Sequence, residues 1–308
     1  MKIGSLCTGY GGLDLAVESY FGAKTIWCAE FDKYANQVIE KRFNIPNYGD
    51  IKKIDWALLP SIDILTAGYP CQPFSNAGYR KGTDDPRHIW PYIKEAISIL
   101  RPRIVVMENV RGHITLGFKE VLAGLTKIGY DAKWELVRAS DVGAPHRRER
   151  LFIIATPTYT DGIGSQLRKY AEERNQRQSQ FEPCECGKVI TYTDGKGLQE
   201  SWNTSGNASN GLIGDADDEY QPHNRQMPKL GRRFATRREM QLRRSPDPLD
   251  LGKLNPKFVE YMMGLYEGWV TDCGLSRSQQ LKMLGNGVVP QQAEYAIHMI
   301  CTGGDNEL

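Results

Sequence analysis

Short β-rich segments alternate with helical ones through the first half of the chain, and this alternation constrains the fold more than any other feature. The predicted strands cover residues 2–6, 25–28, 62–67, 103–107, 134–137 and 151–155. Helix-like apolar spacing lies between them at 13–20, 33–42, 91–100 and 118–128. Because each helix returns the chain to the same edge of a sheet, the pattern predicts a doubly wound α/β fold built on a parallel sheet.

The second half of the chain differs in residue composition and in apolar periodicity. From about residue 157 to 250, apolar periodicity fades and Gly, Ser, Asn, Gln and Arg dominate. Periodicity returns at 258–265, behind an Asn255-Pro256 pair that suits a helix start, and a last helix is predicted at about 291–300. Since 308 residues exceed what one core usually holds, we predict two domains. The first comprises 1–156 plus 279–308, and the second, which is loop-rich and includes a connecting helix, comprises 157–278.

The composition excludes several classes of protein. Hydrophobic residues make up 40% and charged residues 25% of the chain, as in globular proteins. The longest apolar runs are far shorter than the roughly 20 residues of a membrane helix, and Met1 leads directly into a predicted strand. Seven scattered cysteines do not form a compact disulfide framework. We therefore expect a cytoplasmic protein with no membrane segment.

A glycine-rich turn joins the first strand to the first helix, at the sheet edge where open α/β folds bind ligands. Its glycines are Gly9, Gly11 and Gly12, and the third residue after Gly11 is Asp14, which departs from the dinucleotide pattern. Glu30 follows the second strand, where an acidic side chain can accept hydrogen bonds from ribose hydroxyls. Together these features predict a nucleoside-containing cofactor, although a glycine-rich turn alone is often only a tight turn.

Two reactive side chains follow neighbouring strands. Cys71 lies between Pro70 and Pro73, whose fixed φ angles stiffen the turn, and it stands in a loop outside any apolar run. Glu108 comes at the end of a β-branched strand, where partial desolvation can hold a carboxyl group protonated near neutral pH. Taken singly, each has an ordinary structural explanation, as a small core residue or a solvated strand-end charge. Their shared place at one sheet edge favours a nucleophile and an acid.

Six motifs, read in order, resemble those of the DNA cytosine-5 methyltransferase family. The resemblance covers about residues 2–156 and 253–300, and the order of the motifs makes it specific. The motifs are Gly9-Tyr10-Gly11-Gly12, Glu30, Pro70-Cys71-Gln72, Glu108-Asn109-Val110, Arg148-Glu149-Arg150 and Gly285-Asn286-Gly287-Val288.

The resemblance implies a Rossmann-like sheet, S-adenosylmethionine as the methyl donor, and a cytosine flipped out of double-stranded DNA as the substrate. Cys71 would attack carbon 6 of the cytosine, and Glu108 would engage ring nitrogen 3 and the exocyclic amine. Arg148 and Arg150 would lie beside the target base and favour the Cys71 thiolate. The sequence names no base for the proton that leaves carbon 5.

The same resemblance implies a set of cofactor contacts. Glu30 would hold the ribose, Phe31 would pack on the adenine, and Asp50-Ile51 would meet the adenine edge. Members of the family commonly carry phenylalanine where Cys7 stands, so the missing aromatic wall would have to come from Tyr10 or Phe31. The full predicted set is Cys7, Thr8, Gly9, Gly11, Gly12, Glu30, Phe31, Asp50, Ile51, Pro70 and Asn286.

The loop-rich segment at 157–250 takes the place of the family's target-recognition domain. Residues 222–244 contain eight Lys or Arg and one acid, a basic patch suited to phosphate contacts. The stretch after Cys71 resembles the family's mobile loop. Predicted DNA contacts are Gln72, Ser75, Arg87, Arg232, Arg233 and Arg237. The pair Cys184 and Cys186 lacks two further ligands at plausible spacing, so we predict no metal.

Alternatives remain open. The same chemistry could act on RNA, since a tRNA-methylating branch shares this fold, and the two enzymes differ in which nucleic acid accepts the methyl group. A catalytically silent DNA-binding protein would not need both Cys71 and Glu108, and the glycine spacing disfavours a dinucleotide oxidoreductase. We expect a monomer in a bacterial or phage-infected cell, with a separate restriction endonuclease as a candidate partner.

Overall fold

A six-stranded mixed sheet forms the centre of the protein. The computed structural model describes residues 1–70, 89–158, 234 and 243–303. The strands lie in the order β2-β1-β3-β4-β6-β5. They are β1 (Lys2–Leu6), β2 (Lys24–Ala29), β3 (Ile64–Gly68), β4 (Ile104–Val110), β5 (Tyr130–Val137) and β6 (Arg150–Pro157). All six predicted strands are therefore present, and the bounds of β1 are those predicted.

The direction of β6 differs from the prediction of a parallel sheet. Strands β1 to β4 pair in parallel, whereas β6 runs antiparallel to both β4 and β5. The reason lies in the connection before β6, which contains only a short 3₁₀ turn, Ala139–Val142. A parallel neighbour is usually reached through a crossover helix, and residues 138–149 contain none, so the chain turns back antiparallel.

Helices cover both faces of the sheet, as the doubly wound prediction requires. On one face, α1 (Gly12–Phe21) and the last helix pack against Ile104 and Val106 of β4. On the other, α3 (Trp90–Leu100) and α4 (Phe118–Lys127) pack against Val105 and Met107. The remaining helices are α2 (Lys33–Arg42), α5 (Pro256–Met262), α6 (Arg277–Asn286) and α7 (Pro290–Thr302), which is the last helix.

Helix α5 begins as the sequence predicts, because the Asn255 side chain accepts a hydrogen bond from the Lys257 amide. Helix α6 is not among the predicted elements. Its signal is a capping box, in which Ser276 and Gln279 exchange hydrogen bonds between side chain and backbone. The predicted domain boundary at 278/279 falls inside this helix, and the division of the chain into two domains stays a prediction.

A third apolar cluster connects the chain after residue 243 to the glycine-rich turn. Tyr10 and Leu15 belong to it, together with Leu265, Trp269 and Val289. The Trp269 indole donates a hydrogen bond to the Tyr10 carbonyl at 3.0 Å. The turn that follows β1 is therefore braced from the C-terminal part of the chain.

A small hairpin, β7 (Leu249–Asp250) with β8 (Lys253–Leu254), precedes α5. Within the described ranges, no helix has the length and apolar character needed to cross a membrane.

Candidate active site and cofactor pocket

The predicted residues converge on the carboxyl ends of β1, β3 and β4. Because these strands are parallel neighbours, their ends open at one edge, and the last β3–β4 pair joins Gly68 to Glu108. A pocket lies over this edge. Three parts of the chain line it: the glycine-rich turn, the ends of β3 and β4, and Asn286 to Val288 after α6.

Glu30 fixes the shape of the glycine-rich turn. Its carboxylate accepts hydrogen bonds from the Gly9 amide at 2.8 Å and from the Asp32 amide at 2.8 Å. Burial raises the pKa of Glu30, and the two amide bonds oppose that rise. Each carboxylate oxygen has a second lone pair, so Glu30 can hold the turn and still accept a ribose hydroxyl.

The turn leaves no room for larger residues. A Cβ added at Gly11 would lie 2.3 Å from the Phe43 ring, and Gly11 has a φ of 83°. A Cβ at Gly12 would lie 2.2 Å from the Val288 carbonyl oxygen. These contacts explain the glycines in terms of close approach to neighbouring chain segments as well as to a ligand.

Cys7 stands where the family commonly has an aromatic residue, and two residues were predicted to supply the missing ring. The structure leaves one of them as a candidate. Tyr10 is fully buried, and its hydroxyl donates to the Val288 carbonyl at 2.6 Å. That leaves Tyr10 as part of the core and removes it as a wall of the pocket. Phe31, which follows Glu30, is 79% exposed, so its ring can pack on a planar ligand. Burial raises the pKa of the Cys7 thiol, with a smaller contribution from Glu30 and Asp50.

Asp50 and Ile51 lie in the connection between α2 and β3. The Asp50 side chain caps the short turn Ile51–Lys53 by accepting from the Lys52 amide at 3.1 Å. Ile51 is buried in the apolar cluster against which Cys7 packs. The negative charge of Asp50 contributes to the raised pKa of Cys7.

An acid that the sequence analysis did not assign lies at the base of the pocket. Asp14 of α1 is 1% exposed, and its carboxyl accepts a hydrogen bond from the Thr66 hydroxyl. Burial raises the pKa of Asp14 to about 6, and its hydrogen bonds with Thr66 and Ser5 oppose the rise. The available signal was a charged residue on the apolar face of α1, between Leu13 and Leu15.

Glu108 and Arg150 form a partly buried ion pair. Arg150 Nε lies 3.0 Å from Glu108 Oε1, with 17% and 10% of the two side chains exposed. The other carboxylate oxygen, Oε2, lies 3.8 Å from the position that a Cβ on Gly68 would occupy. It therefore points over the end of β3. Burial raises the pKa of Glu108, opposed by the charges of Arg150 and Arg148.

Arg148 makes backbone contacts that the sequence did not predict. Its guanidinium donates to the carbonyl oxygens of Gly285 at 2.8 Å and Gly287 at 2.6 Å. Its own carbonyl accepts from the Gln292 side chain at 2.7 Å. These bonds tie the start of β6 to the segment that closes the pocket, and the catalytic role of Arg148 stays a prediction.

Several predicted site residues lie outside the described part of the chain. Pro70 is the last described residue before the first gap, and it is exposed. Among the described residues, no group of His, Cys, Asp and Glu is arranged to hold a metal ion. The predicted residues that fall outside are Cys71, Gln72, Ser75, Arg87, Cys184, Cys186, Arg232, Arg233 and Arg237.

The fold and the site together define a Rossmann-like methyltransferase. The sheet places a ligand pocket at the glycine-rich turn after β1, an acidic residue after β2, and a buried acid with its arginine beside that pocket. Comparison with known proteins then identifies the family. The model of the C-5 cytosine-specific DNA methylase family matches residues 1–301, so this chain belongs to that family.

Relatives of known name agree with the family assignment. The Type II methyltransferase M.NgoBI of Neisseria gonorrhoeae is 38% identical over 163 residues, which cover 51% of this chain and 50% of the relative. The Type II methyltransferase M.BsuFI of Bacillus subtilis is 36% identical over 154 residues, 48% of this chain and 37% of the relative. The matched segment thus spans about half or less of these relatives.

Solved structures share the fold. A mutant of Spodoptera frugiperda DNMT2 superposes with a TM-score of 0.59 and 16% identity, covering 97% of this chain and 99% of the other. The Dnmt2 methyltransferase of S. pombe gives a TM-score of 0.58 and 15% identity, covering 99% of this chain and 100% of the other. At these identities, the likeness concerns the fold alone.

Proposed function

We propose that this chain transfers a methyl group from S-adenosylmethionine to carbon 5 of a cytosine in double-stranded DNA. The observation that carries the proposal is the Glu108–Arg150 pair, which faces the end of β3 beside the glycine-rich pocket. That strand leads through Pro70 to Cys71. The chemistry requires a nucleophile, an acid and a methyl donor within reach of one pyrimidine ring, and this edge has the acid, a pocket for the donor and the strand that leads to Cys71.

The pocket residues fit S-adenosylmethionine. Glu30 has acceptor capacity for ribose hydroxyls, Phe31 offers an exposed ring for the adenine, and the charge of Asp50 acts on Cys7. Of the other predicted contacts, five line the pocket that extends to Glu108, namely Cys7, Thr8, Gly9, Gly12 and Asn286. When bound, the cofactor supplies an electrophilic methyl group carried on a sulfonium.

Glu108 acts on the cytosine ring in this mechanism. When the Cys71 thiolate attacks carbon 6, charge develops on the ring, and a hydrogen bond at ring nitrogen 3 stabilises it. Since Arg150 occupies Oε1, we assign Oε2 to the base. A pKa raised by burial helps Glu108 to carry the proton that nitrogen 3 needs, and Arg150 keeps that carboxyl oriented.

The DNA contacts are proposed from the family. A cytosine inside a duplex must be flipped out, at a cost of a few kcal/mol, before either ring carbon is accessible. We propose that Gln72, Ser75 and Arg87 close over the flipped base. Arg232, Arg233 and Arg237 then contact the DNA backbone. Because the matched relatives are Type II methyltransferases, we also propose a bacterial or phage setting, a cytoplasmic monomer, and a separate restriction endonuclease as partner.

The test is transfer of tritium from labelled S-adenosylmethionine. Cytosine in duplex DNA should be labelled, and Cys71→Ala should abolish the label because it removes the thiol that attacks carbon 6. Cys273→Ala is the matched control, since Cys273 is a half-buried cysteine outside the pocket. Bisulfite sequencing of DNA from cells that express the chain gives the target sequence. Label in total RNA but not in DNA would overturn the DNA assignment, and full activity of Cys71→Ala would overturn the mechanism.

A further inference from the structure

We propose that the buried hydrogen bond between Tyr69 and His113 is a positioning device that holds the exit of β3, which leads to Cys71, against the end of β4, which carries Glu108. The inference rests on the proposed function and deepens it, since the bond joins the segment that leads to Cys71 with the segment that follows Glu108. Tyr69 lies two residues before Cys71. His113 lies five residues after Glu108, in the short turn Arg111–Ile114 that follows β4.

The bond spans the two strand exits. The Tyr69 hydroxyl lies 2.9 Å from His113 Nε2, and the exposures of the two residues are 5% and 3%. Pairing between β3 and β4 has already ended at Gly68 and Glu108. Beyond that pair, side chains have to hold the two exits together.

A second bond acts on the same residue. The Asn109 side-chain amide donates to the Tyr69 carbonyl at 3.2 Å, and its oxygen accepts from the Val110 amide at 2.8 Å. Tyr69 is therefore held at its backbone by the end of β4 and at its hydroxyl by the turn that follows β4. Trp90 lies against the Tyr69 ring and Phe118 against the His113 ring, which limits the freedom of the pair.

The direction of the Tyr69–His113 bond follows from the burial of His113. Burial lowers the pKa of His113 to about 4, so the ring is neutral at neutral pH, and a hydrogen bond with the Leu116 backbone opposes the shift. A hydrogen bond that stabilises the protonated ring is one in which a ring nitrogen is the donor. The neutral ring has a single N–H group, and that group donates to the Leu116 backbone. Nε2 is therefore an acceptor, and the Tyr69 hydroxyl donates to it.

The functional consequence is geometric. A reacting pair must stay within a few tenths of an ångström of its productive separation, and a displacement of about 1 Å can cost about 100-fold in rate. Loss of one buried hydrogen bond should relax the Cys71 side of the site while the cofactor pocket keeps its own contacts. The rate of covalent attack should then fall more than cofactor affinity does.

The experiment measures attack and cofactor binding separately. Duplex DNA with 5-fluorocytosine at the target position traps the covalent adduct, because fluorine cannot leave carbon 5 as a proton does. We expect Tyr69→Phe to slow adduct formation about three- to tenfold, the range for one buried hydrogen bond. The dissociation constant of S-adenosylhomocysteine should change less than twofold. His113→Leu should match it, and His113→Gln, which retains an acceptor, should recover much of the rate.

The matched control is Tyr130→Phe. Tyr130 is also fully buried, and its hydroxyl donates to the Pro102 carbonyl at 2.7 Å, on the far strand β5. It loses the same kind of bond without touching the site, so it should lower the melting temperature and leave the adduct rate unchanged. A Tyr69→Phe/His113→Leu double variant should be no slower than the slower single variant, because both remove one interaction.

Three outcomes would overturn the proposal. They are an adduct rate in Tyr69→Phe that equals that of Tyr130→Phe, effects of the two single variants that add in the double variant, and equal losses in His113→Gln and His113→Leu. If Tyr69→Phe fails to fold, the comparison of His113→Gln with His113→Leu still decides. A wild-type chain that forms no adduct would instead refute the proposed function.

Discussion

The cofactor half and the chemical half of the site are held in different ways. The glycine-rich turn keeps its shape through backbone bonds to Glu30 and through close contacts that only glycine allows. The ends of β3 and β4 are held by side chains, the Glu108–Arg150 pair and the Tyr69–His113 bond. Substitutions that add side-chain volume should therefore be the damaging ones in the cofactor half. In the chemical half, the damaging substitutions should be those that keep the side-chain volume but remove a proton or a charge.

The largest expected effect is in the chemical half. Glu108→Gln keeps the size of the side chain but removes the proton that the carboxyl can supply, and it breaks the pair with Arg150. We expect single-turnover methyl transfer to fall about 100- to 1,000-fold, as for loss of one group that stabilises developing charge. The affinity for S-adenosylhomocysteine should stay within about twofold, as measured by calorimetry.

Glu149→Gln is the control for that change. Glu149 also pairs with arginines, Arg111 at 2.8 Å and Arg138 at 3.4 Å, but it faces the surface. Its loss should leave the rate of transfer close to that of the wild type. A Glu108→Gln enzyme that keeps more than a tenth of the wild-type rate would show that the carboxyl is not needed for charge stabilisation.

The next largest effect is expected in the cofactor half, where adding a single methyl group at Gly287 should be enough. A Cβ at Gly287 would lie 1.7 Å from the Tyr10 ring, which is itself fully buried. Gly287→Ala should therefore cost about 1–3 kcal/mol of stability through overpacking. Because Gly287 lines the pocket, the variant should also bind S-adenosylhomocysteine more weakly. Chemical denaturation and calorimetry measure the two effects.

The control is two residues away in the same segment. A Cβ at Gly285 would meet nothing within 4 Å, so Gly285→Ala should bind cofactor normally. It should be neutral or slightly stabilising, since Gly285 lies within α6 and alanine is the better helix former. Equal losses in the two variants would mean that steric fit at Gly287 does not shape the pocket.

The sequence predicted what depends on local pattern. Amphipathic spacing was enough to place α2 at Lys33–Arg42, and β-branched runs placed the strands. Glu108 was assigned from its place at a strand end, and the structure brings it to Arg150. The direction of β6 was wrong because a pattern identifies a strand but not its partner. The bonds of Arg148 were not predicted for a related reason, since they go to Gly285 and Gly287, over 130 residues away.

Asp14 was missed because its burial is a tertiary property. In the sequence it is one acid in the first turn of α1, a position where acids are favourable in any exposed helix. Only the packing of α1 over β3 brings it against Thr66 and removes it from water. Asp14 is also an exception to the difference between the two halves, since it introduces a buried charge into the cofactor half, which otherwise depends on backbone geometry.

The smallest expected effect tests that exception through pH. The folded-state pKa of Asp14, about 6, lies above the ordinary value of 3.8. The unfolded chain therefore releases this proton more readily, and the group destabilises the fold increasingly as pH rises from about 4 to about 6. The shift sets an upper limit of about 3 kcal/mol. An amide still has to be buried, so we expect Asp14→Asn to gain about 1–2 kcal/mol at pH 8.

The gain should be much smaller at pH 4, because there the folded carboxyl is protonated and the unfolded one is only about half ionised. Subtracting the wild-type unfolding free energy from that of the variant at each pH isolates this group from others that titrate in the same range, such as His113. A gain that is the same at pH 4 and pH 8 would mean that Asp14 titrates normally. If Asp14→Asn is more stable yet binds S-adenosylhomocysteine more weakly, the buried charge serves the ligand, and charge as well as backbone geometry shapes the cofactor half.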